Sequence, residues 1–145
     1  MMKWVMKIKD VIRTRPQCVS PDATLAEAAG SMKMLDVGFL PICENDRLIG
    51  TVTDRDIAIR AVAKGCDPKV TKVREVMSRD LVYCMENQEL DEAARLMEEK
   101  MVRRLPILDQ NKRLVGIVSV GDLAARAHET QLAGEVLERV AANSR

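Results

Sequence analysis

The sequence predicts an α+β fold built from two copies of a β-α-β-β-α unit packed about a pseudo-twofold axis. Three observations predict it. The second half of the chain repeats the first in order and spacing. Short strand-like runs alternate with amphipathic helical stretches in each half. Both halves carry one motif, "GTVTDRD" and "GIVSVGD", where a strand gives way to a helix.

The duplication holds residue by residue. At an offset of 65, Val11 aligns with Val76, Leu25 with Leu90, Glu27-Ala28-Ala29 with Glu92-Ala93-Ala94, Met32 with Met97 and Leu40-Pro41-Ile42 with Leu105-Pro106-Ile107. One residue inserted in the following turn moves the offset to 66, pairing Gly50 with Gly116, Val52 with Val118 and Asp56 with Asp122. Two long copies argue against a solenoid, which stacks several shorter units.

In the first copy "CVS" before Pro21 predicts a short strand. "TLAEAAGSMKMLD" places Leu25, Ala28, Ala29, Met32 and Leu35 at helical spacing behind a Thr24/Glu27 capping box. "GFLPIC" and "LIGTVT" are strands around the polar turn "ENDR", and "DRDIAIRAVAKG" is a helix that Gly65 can end. The second copy repeats the order with "LVYC", "ELDEAARLMEEKM", "RLPIL", "RLVGIVS" and "VGDLAARAHE". The domain reading is repeat 1 over 8–64, a connector over 65–74, repeat 2 over 75–130 and a helical tail over 131–145. In the tail Leu132, Val136, Leu137 and Val140 share one face, which folds back or joins a partner chain.

Composition narrows the function. At 145 residues, 47% hydrophobic and 31% charged with a formal net charge of +1, the chain reads as a globular protein without the basic excess of a nucleic-acid binder. No apolar run approaches the ~20 residues of a membrane helix, and the N-terminus lacks a signal-peptide core, so a cytoplasmic location is expected. Cys18, Cys43, Cys66 and Cys84 show no C-x-x-C spacing and read as buried or incidental thiols in a reducing compartment, with a Cys-only metal site as the weaker alternative. No nucleophile-base pair, P-loop or dinucleotide fingerprint appears around the lone His128, which argues against an enzyme and against a required cofactor.

The repeated motif has two readings. A hydroxyl at the N-cap with an acid three places on is a helix-start signature. The reciprocal capping bond favours the longer Glu or Gln, so the short carboxylates of Asp56 and Asp122 are expected to reach back poorly and to face outward. There they could accept hydrogen bonds from a vicinal diol, leaving the hydroxyls of Thr53 and Ser119 for a phosphate. Gly50 and Gly116 permit close approach of a ligand or of another stretch of backbone.

These motifs, with the strands "FLPIC" and "RLPIL", resemble a tandem pair of cystathionine-β-synthase (CBS) domains, or Bateman module, of the stand-alone bacterial type, over about residues 8–130. The resemblance implies clefts that take an adenine nucleotide (AMP, ADP, ATP) or S-adenosylmethionine. It maps the ribose-holding acid onto Asp56 and Asp122, and the neighbouring hydroxyl onto Thr53 and Ser119. It also implies composite base pockets, with Val82 and Met77 lining the Asp56 cleft and Ile12 and Val19 the Asp122 cleft. Arg103 and Arg104 match a position for phosphate-binding bases, and Arg55 is a further phosphate candidate; each is equally readable as a solvated charge. With one Trp, one Tyr and one Phe, an adenine would sit between aliphatic side chains.

The copies differ where it counts. Gly38-Phe39 stands against Arg103-Arg104, and Asp54-Arg55 against Val120-Gly121, which favours the Ser119/Asp122 cleft as the better binder. The expected role is a regulatory sensor acting on a separate, unidentified protein, commonly as a disc-like homodimer. The alternative is a non-catalytic dimerisation scaffold without bound nucleotide.

Overall fold

The computed structural model describes residues 6–12, 16–125, 136 and 138–142. Contacts divide the chain into two units, Gln17–Leu81 and Met1–Pro16 with Val82–Arg145.

In the first of these, Thr24 starts helix α1 (Leu25–Leu35). Its Oγ1 accepts the Glu27 N–H at 3.2 Å while the Glu27 carboxylate accepts the Thr24 N–H at 3.4 Å, the anticipated capping box. Leu25, Ala28 and Met32 are buried along one stripe. Strands β1 (Phe39–Glu44) and β2 (Arg47–Thr53) pair antiparallel with a bulge at Ile42/Cys43. Asn45 and Asp46 turn the hairpin at φ 54° and 65°, the left-handed pair that a two-residue turn between twisted strands requires. Helix α2 (Asp54–Ile57) runs into a π-helical turn (Ala58–Val62), and Gly65 at φ 75° ends it as anticipated.

The predicted "CVS" strand shrinks to one parallel bridge, Val19 to Ile42. Pro21 has no N–H to continue a ladder, and the Ser20 hydroxyl accepts the Asp22 N–H at 3.1 Å, bending the chain away.

The other unit has the strand order β3-β4-β5: β3 (Cys84–Met85) parallel to β4 (Arg104–Leu108), and β4 antiparallel to β5 (Leu114–Ser119). Helix α3 (Leu90–Lys100) buries Leu90, Ala93, Ala94 and Met97, and α4 (Val120–Ala124) follows β5. The inserted residue explains itself here. The β4–β5 turn holds Lys112 at φ 62°, and Asp109 Oδ1 accepts the N–H groups of Asn111 (2.8 Å) and Arg113 (2.9 Å), a longer turn than that of β1–β2. Val136 and Val140 of the tail are fully buried in this unit and Arg139 pairs with Glu98 of α3, so the tail folds back. Leu132 and Leu137 lie outside the described residues.

The two units do not follow the repeats. Each repeat contributes its opening segment to the unit formed mainly by the other. Val73, Val76 and Met77 are buried in the core with Leu25 and Val52, and Ile8 is buried with Met97 and Leu105. The backbone bonds that hold these segments match at the repeat offset. The N–H groups of Val73, Arg74 and Leu25 donate to the carbonyls of Ala23, Pro21 and Thr71, while those of Ile8, Lys9 and Leu90 donate to Gln88, Glu86 and Met6, all within 2.8–3.0 Å. Residues 65–74, expected as a connector, therefore end in a 3-10 turn (Val73–Glu75) packed into the first unit's core.

Helices α1 and α3 both end on a left-handed residue other than glycine, Asp36 at φ 55° and Met101 at φ 56°. That conformation crowds Cβ against the carbonyl that follows, and Asp tolerates it better than Met. Met101→Gly is expected to stabilise the protein by about 0.5–1 kcal/mol, since Met101 is 42% exposed and relief of the left-handed strain outweighs the packing lost. Chemical denaturation measures it; a destabilised variant would contradict the strain.

Candidate functional site

Each motif sits where an edge of a hairpin becomes a short helix. Thr53 and Ser119 keep extended backbone (ψ 164° and 165°), so their N–H groups point along the first helical turn. The expectation that the aspartates face outward is corrected: both turn back. Asp56 Oδ2 accepts the Thr53 N–H at 2.9 Å, and Thr53 Oγ1 accepts the Asp56 N–H at 3.1 Å. Asp122 Oδ2 accepts both the N–H (2.8 Å) and the hydroxyl (3.0 Å) of Ser119, whose Oγ accepts the Asp122 N–H at 3.1 Å. The extended cap brings its N–H close enough for a side chain one methylene shorter than Glu.

Capping uses one oxygen of each carboxylate. Asp56 Oδ1 faces Arg60 Nε at 3.9 Å, with the Asp56 side chain 19% exposed. Asp122 is exposed, and among the described residues no hydrogen bond reaches its Oδ1. A carboxylate oxygen so placed can accept a hydroxyl from outside.

The surroundings differ between the copies. Arg104 on β4 is the register partner of Ser119 on β5, so their side chains leave the same face. Arg104 is exposed and has no partner among the described residues. Phe39 takes that place opposite Thr53. Arg103 is exposed, and its carbonyl accepts the Val120 N–H at 2.9 Å. In the first copy the Gly38 carbonyl accepts the Asp54 N–H at 3.0 Å, and the Asp54 carboxylate fills the space a side chain at 38 would need, 2.6 Å from an added Cβ. Gly38 with Asp54, and Arg103 with Val120, are thus paired exchanges. Arg55 is exposed, its N–H donating to Asp54 Oδ1 at 2.8 Å.

The motif glycines face protein. A Cβ at Gly50 would lie 2.8 Å from the Ser78 carbonyl oxygen and 2.9 Å from Met77 Sδ; one at Gly116 would lie 2.5 Å from Ile12 Cγ2. Met77 is therefore in the unit of Asp56, and Ile12 in that of Asp122. Val19 packs in the unit of Asp56 and Val82 in that of Asp122, because the chain has already crossed over after 12 and after 77.

Arg60 escaped the sequence reading. It donates to the carbonyls of Val76 (3.1 Å) and Met77 (3.4 Å) while its Nε faces Asp56, joining motif acid to opening segment. Its place four residues after Asp56 on a helix was the available signal. Among the described residues no three His, Cys, Asp or Glu side chains gather as a metal site, and His128 lies outside them. Burial and the charge of Glu92 push the Cys84 thiol up to about 11. No helix among the described residues is long and apolar enough to cross a membrane.

Fold and motif together define a tandem-repeat α+β module with one acid-capped strand-to-helix site per repeat. Residues 8–62 and 73–129 each match the CBS domain family, and the chain belongs to that family. It is 46% identical over 133 residues to the CBS domain-containing protein YhcV of Bacillus subtilis, covering 92% of this chain and 94% of that one. Among solved structures, Hypoxic Response Protein I with two coordinated zinc ions is 38% identical with a TM-score of 0.75, covering 83% of this chain and 98% of that one. The CBS domain pair of protein MJ0100 in complex with 5-methylthioadenosine and S-adenosyl-L-methionine is 25% identical with a TM-score of 0.75, covering 86% and 98%.

Proposed function

We propose that the chain is a regulatory, non-catalytic module that binds an adenine nucleotide (AMP, ADP or ATP) or S-adenosylmethionine at its motif sites and signals occupancy to a partner protein. The carrying observation is the second motif: Asp122 caps its helix with Oδ2, no hydrogen bond from a described residue reaches its Oδ1, and Arg104, the register partner of Ser119, has no partner among the described residues. Oδ1 accepts a ribose hydroxyl, and the guanidinium takes the anionic end of the ligand. The aliphatic candidates for the base are Ile12 and Val82 in the unit of Asp122 and Val19 and Met77 in that of Asp56, and Arg103 and Arg55 add positive charge. The complexes of MJ0100 with two adenosine compounds support the ligand class.

The Ser119/Asp122 site is the stronger of the two. At the Thr53/Asp56 site Arg60 already faces the second carboxylate oxygen, and Asp54 adds a negative charge where a phosphate would come. Asp122→Ala should weaken binding about 10- to 100-fold, the equivalent of ~1.5–3 kcal/mol for a charge-assisted hydrogen bond. The substitution also removes half of a capping box, so its melting temperature is measured alongside. Calorimetry that finds no binding of AMP, ATP or S-adenosylmethionine at millimolar concentration removes the sensor and leaves the scaffold. A second copy of the chain is the partner assigned to the exposed apolar side chains Met34, Ile59 and Val62 of α1 and the α2 region; sedimentation that finds only monomer removes it.

A further inference from the structure

Cys18 and Cys43 are brought together by the fold of the 17–81 unit. The Val19 N–H donates to the Pro41 carbonyl and the Cys43 N–H to the Val19 carbonyl, each at 3.0 Å, which sets Val19 against Ile42. Cys18 and Cys43 thus flank the bridge, one just before Val19 and the other just after Ile42, where β1 bulges. The Cys18 thiol is the neighbour that acts most strongly on the Cys43 thiol, raising its pKa.

The two sulfurs are not equally placed. Cys43 is 7% exposed, whereas Cys18 is half-buried and lines an open cavity of about 150 Å³ with Glu27, Ser31 and Leu35. The proton of Cys43 is held far above the ordinary thiol range, first by its bond to Cys18, then by burial and by the negative charges of Cys18 and Asp46. Cys18 is the more accessible of the two thiols, with Cys43 buried behind it. An accessible nucleophile backed by a second thiol is the arrangement of a reversible dithiol. Packing alone does not call for sulfur here: at the repeat offset the equivalent positions are Tyr83 and Leu108.

We propose that Cys18 and Cys43 form a redox pair that closes to an intramolecular disulfide on meeting a peroxide or a small-molecule disulfide. With hydrogen peroxide, the Cys18 thiolate attacks one oxygen and breaks the O–O bond, giving a sulfenic acid and, once hydroxide takes up a proton, water. Cys43, losing its proton, attacks the Cys18 sulfur and expels the hydroxyl as a second water; two electrons and two protons have passed from the thiols to the peroxide. With a small disulfide, Cys18 displaces one thiol and Cys43 the other. Cys18 stands beside the single bridge at Val19 and is half-buried, so it supplies the movement that brings the sulfurs to the ~2 Å of a bond.

The test is peptide mapping of the full chain by mass spectrometry after hydrogen peroxide or oxidised glutathione, with remaining thiols alkylated. The expected result is a cross-linked peptide joining Cys18 to Cys43, with Cys66 and Cys84 still alkylated. Dithiothreitol reverses it. The melting temperature rises by about 5 °C or more, because the bond closes the loop that carries α1. Cys18→Ser and, separately, Cys43→Ala abolish both effects, and Cys66→Ser keeps them. Thiols that all stay alkylatable, a lasting glutathione adduct on Cys18, or a bridge between chains would each overturn the proposal.

Discussion

Ile8→Ala is expected to destabilise the protein by about 2–5 kcal/mol, the range for emptying a fully enclosed aliphatic site. Ile8 is 0% exposed, packed in the core that holds Met97, Leu105 and Ile107. The location of the damage matters more than its size. Since the opening segment of the first repeat is built into the unit of the second, hydrogen exchange should quicken in β4 and β5 while β1 and β2 keep their protection. Val73→Ala, the equivalent change at the repeat offset, should loosen β1 and β2 instead. Loss of protection in the mutated residue's own repeat would contradict the exchange of segments.

Gly116→Ala is expected to cost about 1–3 kcal/mol through overpacking. Without Ile12 the change would be favourable, because alanine in a strand loses less chain entropy than glycine. The added Cβ lies 2.5 Å from Ile12 Cγ2 and 3.0 Å from its Cδ1 and Cγ1, and a β-branched side chain has few rotamers in which to retreat. Pairing Gly116→Ala with Ile12→Ala should therefore be less damaging than the sum of the two, as a double-mutant cycle by denaturation would measure. At Gly50 the same relief is not available. There the nearest atom is the Ser78 carbonyl oxygen, which a bridge between Thr51 and Ser78 holds with bonds of 3.0 and 2.8 Å. Gly50→Ala should stay destabilising whether or not Met77 is trimmed. A neutral Gly116→Ala would show that the close approach is not a constraint.

What the sequence carried plainly was local. The stripe of Leu25, Ala28 and Met32, the Thr24/Glu27 box and the hairpin around "ENDR" each depend on neighbours a few residues apart, and duplication repeated the pattern. The resemblance to CBS domains was carried by the repeated motifs, and the family match covers both copies. The segment exchange was hidden, because Ile8 and Val73 are apolar whichever core they join. The inward turn of Asp56 and Asp122 was misjudged because reach depends on the ψ of the cap as well as on side-chain length. The meeting of Cys18 and Cys43 depends on the register of one parallel bridge, which no spacing encodes.

The capping role of the aspartates leaves one oxygen of each for the ribose hydroxyls of the proposed ligand, Asp122 Oδ1 being the more open of the two. Calorimetric titration of AMP and of its 2′,3′-dideoxy analogue, into the native chain and into Asp122→Ala, tests that directly. Acceptance of a sugar hydroxyl by Asp122 predicts that the native chain prefers AMP by about tenfold or more and that the preference collapses in the variant. Equal affinity of the native chain for both compounds, or a preference that survives the loss of Asp122, would contradict it.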